Sequence, residues 1–105
     1  MLPMISDLFT AASRFARSNA DDRGVAITPI PGLAVVRQTM PTALEYAINR
    51  PLVALVLQGS KRVIVGSKTL DLRPGESLLI TADVPTVSQV TEANLARPYL
   101  SLIHI

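Results

Sequence analysis

The chain has 105 residues, 49% of them hydrophobic, which is material for one small domain that must bury most of its apolar side chains to offset chain entropy. Two Tyr, two Phe and no Trp argue against a base-stacking surface, and ten Lys and Arg against eight Asp and Glu lack the clustered stripe of a nucleic-acid footprint, only Lys61-Arg62 being adjacent. With no Cys there are no disulfides or thiolate metal sites.

The longest apolar run, Leu52 to Leu57, is too short to cross a bilayer, and no basic segment precedes an apolar one at the N-terminus. The chain is therefore expected to be soluble, unexported and cytoplasmic, with no membrane partner.

In chain order, Ile5, Leu8, Phe9, Ala12, Phe15 and Ala16 recur at helical spacing, with Asp7, Thr10, Ser13, Arg14 and Arg17 on the other side. This predicts an amphipathic helix whose stripe covers a sheet face or edge, with Asp7 near its start and Arg14 and Arg17 near its end matching the helix dipole. Residues 1–24 are read as this helix and a linker, and residues 25–105 as the domain proper. The segment Thr28-Pro29-Ile30-Pro31-Gly32 is extended or turning, because two prolines within three residues forbid a helix. A first strand, Leu33 to Gln38, follows. Met40-Pro41-Thr42 breaks it, and Ala43 to Arg50 is read as a loop.

Four apolar runs, Leu52 to Leu57, Val63 to Val65, Leu70 to Leu72 and Leu78 to Ile80, are cut by Gln58-Gly59-Ser60, Gly66-Ser67 and Pro74-Gly75. That punctuation predicts an antiparallel meander. Gly66-Ser67 suits a type II′ turn and Pro74-Gly75 a type II turn. Leu52 to Leu57 is apolar throughout, so both its faces are expected to be covered, whereas Lys68 to Leu72 alternates and keeps one face wet. Ala82-Asp83-Val84-Pro85-Thr86 reads as a proline-bearing loop, Val87 to Thr91 as a short strand and Tyr99 to Ile105 as a last one. The fold class is mainly β, an antiparallel barrel or sandwich fronted by one helix.

Little here supports catalysis. The single His is His104, and a catalytic metal normally takes about three protein ligands. Ser60, Ser67, Ser77, Ser88 and Ser101 lack a His and acid partner in triad-like order and lack a nucleophile elbow. Glu76 after Pro74-Gly75 is read as a turn residue in preference to a general base. Catalytic, cofactor and metal residues are therefore all expected to be absent. Gln58, Ser88 and Gln89 are polar positions in or at the ends of strands, and they are candidate contacts to a small effector wherever they face an interior. The alternative is that they satisfy backbone or face water.

These residues also form a recognisable set. Thr28-Pro29-Ile30-Pro31-Gly32-Leu33, Leu55-Val56-Leu57-Gln58-Gly59-Ser60-Lys61-Arg62-Val63, Pro74-Gly75-Glu76-Ser77-Leu78-Leu79-Ile80, Asp83-Val84-Pro85, Val87-Ser88-Gln89-Val90 and Arg97-Pro98-Tyr99-Leu100 occur in order. Together they resemble the N-terminal domain of AraC-type transcriptional regulators. The resemblance implies a cupin-like barrel, here incomplete, that senses a small-molecule effector or forms a homodimer. In the family it is followed by a helix-turn-helix domain that binds DNA, and that domain is not in this chain. Enzymatic cupins carry metal-binding His after the turn that Pro74-Gly75-Glu76 resembles, whereas this chain offers Asp83, Pro85 and Thr86. A stand-alone cupin-like enzyme and a plain dimerisation module are the alternatives. Leu100-Ser101-Leu102-Ile103-His104-Ile105 also equals the translated end of a sequencing-library transposon adaptor, so the native frame is expected to end near residue 100, an apolar final strand being the other legal reading.

Overall fold

The computed structural model describes residues 3–81 and 83–105; of the positions singled out above, Ala82 and the side chain of Ile5 lie outside the described residues. Helix α1 (Pro3–Asn19) precedes strands β1 (Val25–Ile27), β2 (Leu33–Gln38), β3 (Glu45–Asn49), β4 (Leu52–Gln58), β5 (Ser60–Val65), β6 (Lys68–Leu72), β7 (Ser77–Ile80), β8 (Val84–Glu92) and β9 (Tyr99–His104). The strands make two antiparallel sheets, one in the order β1-β2-β9-β4-β7 and one in the order β3-β8-β5-β6. The result is a sandwich with the helix as a third layer, and β1, β7, β3 and β6 each keep one partner among the described strands.

The hairpin at Gly66-Ser67 forms as the residues predict. Val65 pairs with Lys68, Gly66 has φ +60°, and Ser67 keeps a negative φ, which distinguishes type II′ from type I′. The wider meander does not form. Only Gly59 separates β4 from β5, and a hairpin loop needs about two residues, so the chain turns a corner into the other sheet instead of reversing beside itself. Register shifts on both sides of this link, between Val56 and Gln58 and between Ser60 and Lys61, absorb the bend. Pro74-Gly75 does make its turn, with the Glu76 amide donating to Arg73 O at 2.9 Å, but this turn carries the chain back to β4.

Three stretches not read as strands from the sequence are strands. Val25–Ile27 pairs with β2, and Glu45–Asn49 replaces the predicted loop over 43–50. β8 begins at Val84, so Val84, Pro85 and Thr86 belong to a strand. Pro85 is tolerated because the β5 ladder stops at Val65–Thr86, leaving Pro85 beside β3 alone. Residues 99–104 form β9, which lies between β2 and β4 at the middle of its sheet.

The helix stripe lies on the outer face of the five-stranded sheet. Ala12 and Ala16 are buried against Ala26, Val35 and Leu100, their small side chains admitting close approach, with Phe9 and Phe15 flanking. Helix α1 starts at Pro3, so Asp7 falls beyond a first turn that holds no acid, while Arg17 does sit in the last turn. α1 covers β1, β2 and β9. Leu57 is packed in this layer, but Val53 at the far end of β4 stays 44% exposed, so the second face of that strand is covered only in part. Between the sheets, Val56, Val63, Leu72, Val90 and Tyr99 form the second core. Burying each of the four aliphatic side chains, Val56, Val63, Leu72 and Val90, is worth about 1.5–3 kcal/mol.

Candidate functional site

Strand period decides which side chains enter the space between the sheets. Val63 is buried there, so Lys61 and Val65, two residues either side, share its face, while Arg62 points outward and pairs with Asp71 across the hairpin at 2.7 Å. In register with Val63 is Ser88, and in register with Ser88 is Glu45. The same rule aims Leu52, Ala54 and Val56 of β4 and Leu78 and Ile80 of β7 inward from the opposite sheet.

These faces do not meet everywhere. They leave a cavity of about 200 Å³, walled mainly by the aliphatic side chains just named and by Ile103. Its polar groups are few: Glu45, Lys61, Thr86, Ser88 and Tyr99. Glu45, Lys61, Ser88 and Tyr99 also border an adjoining void of about 40 Å³, so they stand at the neck between the two spaces. Larger recesses lie elsewhere, about 410 Å³ beside Tyr46 and Ile48, about 520 Å³ between Arg73 and Arg97, and about 240 Å³ along Leu70, Leu79 and Val84. The intersheet space differs from these in gathering Glu45, Lys61, Ser88 and Tyr99 within apolar walls, the usual composition of a small-molecule site.

Electrostatics in the cavity follow from burial. Lys61 has buried Leu72 and Val90 as its register partners, and desolvation pushes its ammonium below the usual lysine range, against a weaker upward pull from Glu45. Burial likewise pushes the Tyr99 phenol up to about 12, opposed by a smaller lowering from the Ser101 hydroxyl. The phenol is thus a neutral donor at physiological pH. Ser101 Oγ, although it lies close enough to act on Tyr99, has no hydrogen-bond partner of full geometry.

The three effector-contact candidates separate. Ser88 lines the cavity. The Gln58 amide donates to Pro98 O at 2.8 Å and the Gln89 amide to Thr42 O at 3.1 Å, so both tie loops to strands, although Gln89 also borders the small void. Glu76 accepts from the Arg73 amide at 2.8 Å and thereby closes its own turn. Sequence reasoning missed Lys61 and Glu45. Lys61 could have been found by counting back two residues from Val63, and Glu45 was hidden because its strand was read as a loop.

No curated protein matches the chain in sequence. Among solved structures, a Neisseria meningitidis protein shares the fold with a TM-score of 0.62 and 14% identity, over 90% of this chain and 95% of that one. A cupin-2 domain protein from Shewanella frigidimarina gives 0.56 and 13%, over 94% and 89%. A Rhizobium leguminosarum protein of unknown function gives 0.52 and 18%; 68% of this chain is covered, and the chain spans 64% of that protein's length. At these identities the likeness shows the fold, and the fold is cupin-like. The profile of the AraC-type transcriptional regulator N-terminus matches residues 29–104, from the turn before β2 to the end of β9. The chain belongs to the family of AraC-type transcriptional regulator N-terminal domains.

Proposed function

We propose that this chain is the effector-sensing and dimerisation part of a cytoplasmic AraC-type regulator, and that the effector occupies the cavity between the two sheets. The observation that carries the reading is the cavity itself, an apolar space with Lys61, Ser88 and Tyr99 converging at one end. Binding without turnover is favoured over catalysis: among the described residues no three His, Asp or Glu side chains converge, and Glu76 is committed to its turn. Effector binding would act through differential affinity for two packings of the sandwich. DNA recognition belongs to a helix-turn-helix domain beyond this chain. Sequencing the genomic DNA downstream of codon 100 tests that part, the expected frame encoding about 190 further residues of typical domain size.

A thermal-shift screen of small acids, alcohols, amines and sugars tests the sensing part, since a ligand at 100-fold its Kd adds about 2.7 kcal/mol of stability. The expected result is a stabilising ligand that NMR shows unchanged after incubation. A ligand that is converted would make the chain an enzyme. A second reading, a dimerisation module, is favoured by the outer face of the four-stranded sheet, where Tyr46 and Ile48 are each 77% exposed beside Val87 and Ile64. Sedimentation over a concentration series tests it, with Tyr46→Glu expected to abolish association.

A further inference from the structure

Among the described residues Lys61 is the one cation that lines the cavity. Its strand neighbours on both sides, Leu72 and Val90, are buried aliphatic residues, while Lys61 itself is half-buried and borders both the cavity and its neck. Among the described residues it makes no side-chain hydrogen bond and no ion pair within 4 Å. Glu45, the carboxylate nearest in register, influences Lys61 only at longer range and is itself exposed to water. The other polar groups at this end, Ser88 and the neutral Tyr99 phenol, carry no charge.

We propose that Lys61 anchors the carboxylate of a small organic acid whose apolar body fills the space between the sheets. This rests on the sensing reading above and narrows it to a ligand class. A carboxylate completes the ammonium with a charge-assisted hydrogen bond, and the Tyr99 and Ser88 hydroxyls are placed to donate to its second oxygen. An amine there would meet the Lys61 cation, a neutral apolar ligand would leave the ammonium unpaired, and the Glu45 carboxylate at the same neck is exposed, so solvent screens its repulsion of an acid. A sugar would place several hydroxyls against aliphatic walls that offer them no partners. Size narrows the class further. A cavity of about 150 Å³ is known to hold benzene, with its six carbons, so this one of about 200 Å³ suits about eight non-hydrogen atoms.

Hexanoate has that size and is the probe, with hexan-1-ol and hexylamine as controls, titrated into the full chain by calorimetry and methyl NMR. Hexanoate is expected to bind saturably, at least tenfold tighter than hexanol, and to shift the methyl signals of Val63, Ala54 and Ile103; hexylamine is expected not to bind. Lys61→Met should erase the preference for hexanoate while leaving hexanol within threefold, and Lys61→Arg should restore it. Lys61→Gln, which keeps a polar side chain, repeats the test should the Met variant fail to fold. If hexanol binds the parent as well as hexanoate does, or Lys61→Met keeps the preference, the anchor is wrong while the cavity remains an effector site. If none of the three shifts the cavity methyls, the anchor is refuted, and only a hit from the wider screen at those methyls keeps the cavity reading alive.

Discussion

Replacing Gly59 with Ala tests the corner between β4 and β5. Gly59 has φ +79°, and a Cβ there would meet Glu92 O at 2.5 Å and the Tyr99 Cα at 2.9 Å. Both are backbone atoms of strands held in sheets, so neither can swing aside. Gly66 is the matched control, with φ +60° and nothing within 4 Å of a Cβ. The left-handed backbone alone costs an Ala about 1–2 kcal/mol at either position. Steric overpacking adds about 1–3 kcal/mol at Gly59 only. Gly59→Ala should therefore lose about 2–5 kcal/mol in total, a large share of the about 5–15 kcal/mol that holds a typical domain together. At about 4–8 °C per kcal/mol for a domain of this size, its melting point should fall clearly further than that of Gly66→Ala. Urea unfolding followed by circular dichroism measures both, with the slope m confirming that the same surface is exposed. If the two variants differ by less than about 0.5 kcal/mol, which is within the spread of ordinary surface substitutions, the account of a sterically closed corner is wrong.

Tyr99 should set the alkaline limit: its folded pKa is raised, so its contribution is complete below 10.0 and is lost as pH rises toward about 12, a change of about 3 kcal/mol. Tyr99→Phe should flatten the loss in a pH series of urea midpoints, and an unchanged slope would contradict the burial assigned to the phenol. Lys61 works in the opposite sense, because its folded pKa is depressed: the unfolded chain holds the proton up to 10.5 while the folded one gives it up earlier, so stability climbs with pH below that value. Lys61→Met should remove that climb and be neutral or stabilising at pH 7, and clear destabilisation there would show that the ammonium is paired. Gly66→Val should unfold more easily than Gly66→Ala, since a β-branched side chain tolerates positive φ least, and a variant that melts like the parent would overturn the type II′ turn. Asp71→Asn should leave the melting point nearly unchanged, because the Arg62 pair is half exposed and screened by salt; a large drop would contradict this.

Local chemistry wrote the helix, β2 and the Gly66-Ser67 hairpin plainly into the sequence, because each depends on neighbours within a few residues. Sheet membership was harder to read, since it turns on one missing loop residue at Gly59 whose effect is felt across the whole sandwich. β3 escaped notice because its apolar residues, Tyr46 and Ile48, face out, reversing the usual meaning of alternation. Of the cavity, Ser88 was legible as a polar position in a strand. Lys61 was not, because a lysine beside an arginine reads as surface until register shows which of the two turns inward.

The position of β9 bears on how the chain is made. Its partners β2 and β4 end at Gln38 and Gln58, yet the strand that joins them comes only at Tyr99–His104. As the polypeptide leaves the ribosome N-terminus first, β1-β2 and β4-β7 can exist only as separate ribbons, each showing a free backbone edge where β9 belongs. Helix α1, whose seat includes Leu100, has no finished surface to dock on in that interval. Pairings between such distant segments form slowly, and unpaired edges are where chains join the wrong neighbour. Folding of the five-stranded sheet is thus deferred until its keystone emerges, and the unassembled ribbons are the state in which a holding chaperone would find its substrate.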